Sequence, residues 1–243
     1  MIVYGIHAVT ALLKKSPEQV IKLYLSETRR EFDTGEIPVQ WVSRQELDQL
    51  SGGQNHQGVI AECRDVAKTY TESDLLQLLG PIPFVLILDG VQDPHNLGAC
   101  LRTADAAGVQ AVIAPKDNSV GLTPTVRKVA CGAAETVPFI PVTNLARTLR
   151  TLKDAGVWLF GADDQAETTL YKTDLRGPLG LVLGAEGTGL RRLTKEHCDS
   201  LISIPMAGSV SSLNVSVATG VCLFEAVRQR TPVMPAKAGI QSN

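Results

Sequence analysis

The rhythm of apolar residues changes near residue 80, and that change sets the expected architecture. Upstream, residues 7–15 place Ala8, Ala11 and Leu12 at helical spacing, and Ser16-Pro17 ends the run. Residues 20–25 and 39–42 read as short strands. A third, at 57–63, is entered through the turn Ser51-Gly52-Gly53-Gln54-Asn55. From 64 to 80 the pattern is polar and weak, and Pro81-Ile82-Pro83 punctuates it. Downstream, apolar blocks alternate with helical stretches. Residues 84–88 lead to a helix at 97–107, and 110–114 to a helix at 124–131. A helix at 145–155 feeds a strand at 157–161, and 179–183 is followed by a helix at 189–196. Residues 201–204 precede a closing helix at 213–230. Apolar strands without polar alternation, separated by helices, predict a parallel sheet buried on both faces. The expected organisation is a small α/β unit over 1–65, a linker over 66–80 and a parallel α/β domain over 81–230. Residues 231–243, with two prolines and no periodicity, are expected to be a disordered tail.

Composition narrows the class. Of 243 residues 44% are hydrophobic and 20% charged, as in ordinary globular proteins. No apolar run approaches the ~20 residues of a bilayer span, so no membrane partner is expected. Met1-Ile2-Val3-Tyr4-Gly5 has no basic region followed by an apolar stretch, so no signal peptide is expected. Five cysteines without close pairs argue against a disulfide scaffold and for a cytoplasmic setting. Cys100 and Cys131 read as small apolar groups buried on helices. His7, His56, His95 and His197 lie too far apart to gather a metal, so none is expected. The net charge of −2 leaves any nucleic-acid contact to local basic patches.

Three loops after apolar strands carry the candidate chemistry, because ligands of open α/β sheets bind at the carboxyl ends of strands. In the first, Asn96-Leu97-Gly98-Ala99-Cys100-Leu101-Arg102, Asn96 either caps a helix or pins the loop. Gly98 allows a close backbone approach. Arg102, one and a half turns on, points back toward the strand ends or into solvent; there its planar fork would grip a phosphate. The second, Leu183-Gly184-Ala185-Glu186-Gly187-Thr188-Gly189, looks superficially like a dinucleotide fingerprint but lacks the third glycine. What remains is one carboxylate, Glu186, in a glycine-lined turn. The third, Ile204-Pro205-Met206-Ala207-Gly208-Ser209-Val210-Ser211-Ser212-Leu213-Asn214, is rich in small and hydroxyl groups. Ser211 or Ser212 would cap the last helix, and the run would also wrap a small ligand through backbone groups.

Taken together, these segments resemble, in order and spacing, the three motifs of the SpoU/TrmH branch of the SPOUT RNA methyltransferases. Tyr4-Gly5-Ile6-His7-Ala8 and His56-Gln57-Gly58-Val59-Ile60-Ala61 resemble the L30e-like RNA-binding domain that precedes many members. The resemblance implies a parallel α/β domain with a C-terminal deep trefoil knot, a homodimer, and S-adenosylmethionine as methyl donor. Gly184, Ile204 and Leu213 would contact that donor, with Leu183 and Met206 beside them. Arg102 would activate a ribose 2′-hydroxyl or clamp the nucleotide phosphate. Asn96 would hold its loop, Glu186 would orient the arginine or the ribose, and Ser212 and Asn214 would shape the pocket. The implied substrate is a guanosine of 23S rRNA, in the P-loop region of the peptidyl-transferase centre; a tRNA ribose is the alternative. Candidate RNA contacts are Arg191-Arg192 and Arg29-Arg30, with Lys14-Lys15, Arg127-Lys128 and Arg147 with Arg150 behind them. Val217, Gly220, Val221 and Phe224 form one stripe of the last helix that suits either a partner subunit or an ordinary core.

Overall fold

The computed structural model describes residues 2–63 and 69–231. Its first unit holds β1 (Ile2–Tyr4), α1 (Ile6–Lys15), β2 (Val20–Leu25), β3 (Val39–Trp41), α2 (Arg44–Leu50) and β4 (Val59–Cys63). The sheet order is β1-β4-β2-β3, with β4 antiparallel to both neighbours and β3 parallel to β2. Val9 and Leu12 of α1 join Val3, Leu23, Val59 and Ala61 in one small core. Two elements were not anticipated. β1 is only three residues long, and α2 starts on a capping box in which the Ser43 hydroxyl accepts from Glu46 N at 3.3 Å. The Glu46 carboxylate accepts in return from Ser43 N at 2.8 Å.

The expected linker spans 66–80. Residues 64–68 lie outside the described residues. Residues 72–78 form a short helical turn and α3 (Leu75–Leu78) fastened to the second unit. Glu72 accepts from Arg147 Nη2 and Thr148 Oγ1, both at 2.9 Å, and Leu75 is buried among Val85, Ile87 and Leu149.

The second unit is a parallel sheet wrapped by helices. It contains β5 (Phe84–Asp89), α4 (Pro94–Ala107), β6 (Ala111–Pro115), α5 (Pro124–Ala130), α6 (Ala133–Thr136) and β7 (Phe139–Val142). There follow α7 (Leu145–Asp154), β8 (Trp158–Ala162), β9 (Leu179–Gly184), α8 (Arg192–His197), β10 (Ser200–Ile202) and α9 (Val215–Arg230). The order is β10-β8-β9-β5-β6-β7, and every pairing is parallel. Alternate residues of β5 serve opposite faces, as strand geometry requires. Leu86 and Leu88 pack with Leu97, Leu101 and Leu223, whereas Val85 and Ile87 pack with Leu145, Leu149 and Leu152. β7, also unanticipated, carries Pro141 and lies at the sheet edge, where a missing N–H is tolerated.

Helix starts differ from the sequence reading. α4 begins at Pro94, with the Asp93 carboxylate accepting from His95 N at 2.6 Å, so Asn96 lies inside the first turn and is not the cap. Asn214 caps α9, a role expected of Ser211 or Ser212. The close approach at Gly98 is made by α5: a Cβ there would stand 2.6 Å from Val129 Cβ and 2.9 Å from Val126 O. Cys100 is buried on α4, which pushes its thiol up to about 11. Cys131, expected to be buried, is exposed at the left-handed end of α5.

The far end of α9 is clamped to the sheet's N-terminal edge. Arg230 lies 4.2 Å from the Phe84 ring centre and donates to the carbonyls of Leu175 (3.0 Å), Pro83 (3.2 Å) and Gly177. One turn earlier, buried Glu225 accepts from Arg228 at 2.7 Å and Gln229 at 2.8 Å. Arg228 outweighs burial and holds the Glu225 carboxyl down to about 2, from an ordinary 4.5. A depressed carboxylate stabilises the fold above its unfolded pKa, and that stabilisation disappears as pH falls through the folded value. The stability advantage of the parent over Glu225→Gln should therefore be full above pH 4.5 and shrink steadily toward pH 2. Urea midpoints measured across that window check this.

Contacts join the two units. Lys128 Nζ donates to Gln54 Oε1 at 2.8 Å, and Lys15 meets Asp105 at 3.5 Å. Among the described residues no helix is long and apolar enough to cross a membrane. The expected tail lies outside the described residues from 232 onward.

Candidate active site

The carboxyl ends of β8, β9 and β10 and the start of α9 enclose a cavity of about 370 Å³. That volume falls in the range of small-molecule sites, ~300–1,000 Å³. All five residues expected to hold the methyl donor line it: Leu183, Gly184, Ile204, Met206 and Leu213. Gly184 is there for a steric reason. The chain turns back after β9, and Gly189 N donates to Ala185 O at 2.9 Å. A Cβ on Gly184 would lie 2.0 Å from the Gly189 carbonyl carbon.

Glu186 and Ser212 also line the cavity. Asn214 Nδ2 donates to Asn96 Oδ1 at 3.0 Å and to Glu186 Oε2 at 3.4 Å, and Asn96 Nδ2 reaches the same carboxylate oxygen at 3.4 Å. The network fixes the Asn214 amide, because its Oδ1 accepts from Ser216 N at 2.9 Å and Ser216 Oγ at 2.6 Å. Asn96 and Asn214, 118 residues apart in sequence, thus meet on one carboxylate. Among the described residues nothing donates to Glu186 Oε1, which leaves an acceptor at the cavity rim.

Arg102 is not part of this cluster. It is exposed on α4, and its Nη1 donates to Cys131 Sγ at 3.7 Å, so Glu186 does not orient it within the chain. Asn96 and Arg102 are six residues apart on one helix, and at ~100° per residue they leave it in different directions.

Sequence reasoning missed Asp163, Asp164, Thr188 and Lys195, which also line the cavity. The Asp pair directly follows β8, so the strand-end rule that singled out the other loops applied to it too. Asp163 is ion-paired with Lys195. Burial alone would raise its carboxyl, but hydrogen bonds from Lys195 and Gln165 N outweigh that and hold it low.

Against known protein families, residues 83–224 match the model described as the SpoU rRNA methylase family. The chain belongs to that family. Residues 2–68 match the RNA 2′-O ribose methyltransferase substrate-binding model, so this SpoU protein carries both parts. It is 59% identical to the 23S rRNA (guanosine-2′-O-)-methyltransferase RlmB of Shewanella oneidensis, over 94% of this chain and 97% of that one. The Escherichia coli K12 protein of the same name is 56% identical, over 94% and 98%. Among solved structures, the SpoU methyltransferase AviRb from Streptomyces viridochromogenes, in complex with the cofactor AdoMet, superposes with a TM-score of 0.73. It is 25% identical and is matched over 95% of this chain and 90% of its own.

Arg191, Arg192, Arg29 and Arg30, the foremost basic candidates of this SpoU chain, have partners of their own. Arg191 is held on Asp89, which is 1% exposed at the end of β5: Nε donates at 2.6 Å and the backbone N at 3.0 Å. Arg192 pairs with Glu196 at 2.5 Å, Arg29 Nε donates to Gln57 O at 3.0 Å, and Arg30 stands 3.9 Å from Glu27. Removing the Arg191 side chain leaves a buried carboxylate short of its partner. Arg191→Met should therefore destabilise the fold by about 3 kcal/mol, toward the low end for breaking a buried pair because the backbone N–H remains. Thermal melting checks this. A purely RNA-facing Arg191 would instead weaken RNA affinity and leave the melting temperature unchanged.

Proposed function

We propose that this chain transfers the methyl group of S-adenosylmethionine to the ribose 2′-hydroxyl of a guanosine in 23S rRNA, in the P-loop region of the peptidyl-transferase centre. The observation that carries the reading is the convergence of Asn96, Glu186 and Asn214 at the rim of the cavity formed by Gly184, Ile204, Met206 and Leu213. The names of the relatives that match nearly end to end support the substrate, and AviRb's complex supports the donor.

The residues fit such a donor. Leu183, Ile202, Ile204 and Val215 give an apolar wall, and the missing side chain at Gly184 lets two backbone segments approach. Bound there, S-adenosylmethionine supplies an electrophilic methyl carbon on a positively charged sulfur. The chain must align the ribose oxygen with that carbon, exclude water and accommodate the hydroxyl proton. Glu186 Oε1 accepts the hydroxyl's hydrogen bond, while Asn96 and Asn214 hold Oε2 and thereby aim the carboxylate. Arg102 is effectively always protonated, so it acts as a clamp on the neighbouring phosphate and as a stabiliser of charge on the oxygen, not as a base. Its position beside Cys131, off the carboxylate, suits that division of labour. With the donor bound, the oxygen–methyl bond would form as the methyl–sulfur bond broke, sulfur would keep that electron pair, and the hydroxyl proton would leave late along its hydrogen bond to Glu186 Oε1.

The reading includes a homodimer, supported by the half-exposed Val217 and Phe224 on the stripe of α9 that also holds Gly220 and Val221. It includes a deep trefoil knot in the C-terminal part, supported by the match to the SpoU family. It carries with it a cytoplasmic location, where ribosomal RNA is found. The test supplies methyl-labelled S-adenosylmethionine with separately purified tRNA, 16S and 23S rRNA. Label confined to 23S rRNA is expected; label in tRNA would replace the substrate assignment.

A further inference from the structure

Among the described residues, the guanidinium of Arg102 has one hydrogen-bond partner: the Cys131 thiol, 3.7 Å from Nη1. That thiol uses both of its polar functions. Its sulfur accepts from Arg102, and its S–H donates to Lys128 O at 3.7 Å. The backbone that carries it is unusual. Cys131 ends α5 with φ 52° and ψ 42°, the left-handed region where glycine is the ordinary occupant of a helix end. A residue with a Cβ is strained there, and such strain persists where something else holds it. Burial is not what holds this one, because Cys131 is exposed.

The turn is held from both sides. Lys128 is tied to Gln54 of the first unit, and Gly132 sits so close to α1 that a Cβ on it would be 3.1 Å from Ala11 Cβ. α5 also packs directly on α4 at Gly98, so the sulfur has a fixed place beside α4, and the exposed Arg102 side chain has no other hydrogen-bond partner among the described residues. A polar atom at that place favours the orientation of the fork that meets it.

We propose that Cys131 is a positioning residue for Arg102: its thiol holds the guanidinium in the orientation that grips the RNA phosphate during methyl transfer. The inference rests on the assignment of Arg102 to the reaction. It is separable from that assignment, because Cys131 touches neither the cavity nor the Asn96–Glu186–Asn214 cluster.

The left-handed backbone makes the test clean. Cys131→Gly removes the thiol and relieves the strain, so the variant should melt at or above the parental temperature. It should also bind S-adenosylmethionine in calorimetry as the parent does. Its single-turnover rate on 23S rRNA should nevertheless fall about ten- to hundredfold, the range for a misplaced catalytic group. Cys131→Ser should recover most of the rate, since a hydroxyl also accepts and donates. Combining Cys131→Gly with Arg102→Ala should cost no more than Arg102→Ala alone. A merely structural role predicts that rate follows melting temperature through the series. A Gly variant at the parental rate, a Ser variant as slow as Gly, or additive losses in the double variant would each overturn the proposal. If Arg102→Ala is slow and Cys131→Gly is not, only the Cys131 inference fails. If Arg102→Ala is itself at the parental rate, the assignment of Arg102 fails with it.

Discussion

Arg102→Lys and Arg102→Ala should both take up S-adenosylmethionine normally and methylate 23S rRNA about 10²–10³-fold more slowly, the scale of losing one group that stabilises developing charge. Donor uptake is spared because Arg102 is exposed on α4 and does not line the cavity. Lysine is the sharper of the two changes. It keeps the positive charge and loses the planar fork, so a rate drop in the lysine variant isolates bidentate geometry from charge. Single-turnover rates at saturating RNA, with calorimetry for the donor, measure both quantities. Parental turnover and unchanged RNA affinity in the lysine variant would refute the clamp. Loss of donor binding would mean instead that the substitution has collapsed the pocket.

The second large effect is expected at Gly184. A Cβ there would meet the Gly189 carbonyl carbon at 2.0 Å, its oxygen at 2.2 Å and Leu190 N at 2.3 Å. All three are backbone atoms, so no side-chain rotation relieves the clash. The loop from Ala185 to Gly189 is further pinned by its own hydrogen bond and, just beyond, by Arg191 on Asp89. Gly184→Ala should therefore either push this loop outward or strain β9, at a cost of about 3 kcal/mol, the upper part of the usual range for overpacking. Because the same loop forms one wall of the cavity, donor binding should be lost together with stability. Thermal melting and calorimetry on the same sample check the pair. A variant that melts like the parent and still binds donor would show that the loop has room the structure denies.

Much of this site was legible because its chemistry follows strand ends. Residues 84–88 and 179–183 are apolar throughout, which marks strands covered on both faces, and the loops after them could be read for ligand groups directly. Elements whose signal is local but not apolar were harder to see. α2 has only Leu47 buried, and its capping box at Ser43 was the available clue. β1, three residues long, gains its identity from pairing with β4, a contact nearly sixty residues away. β7 carries a proline that argues against a strand until its edge position is known.

Asn96 and Arg102 show a different limit. Both belong to one motif, but a motif records order along the chain and not direction around a helix. Only the fold shows Asn96 turned to Glu186 and Arg102 turned to Cys131. From its place after the second motif, Arg191 reads as an RNA contact. Its engagement depends on Asp89, a hundred residues earlier, and no spacing rule links them.

The most direct test identifies the methylated atom. Unmodified 23S rRNA is incubated with the protein and S-adenosylmethionine, digested to nucleosides and analysed by mass spectrometry. The proposed arrangement predicts new 2′-O-methylguanosine, with the added mass on the ribose fragment. A base-methylated nucleoside, or no methylation despite bound donor, would contradict it.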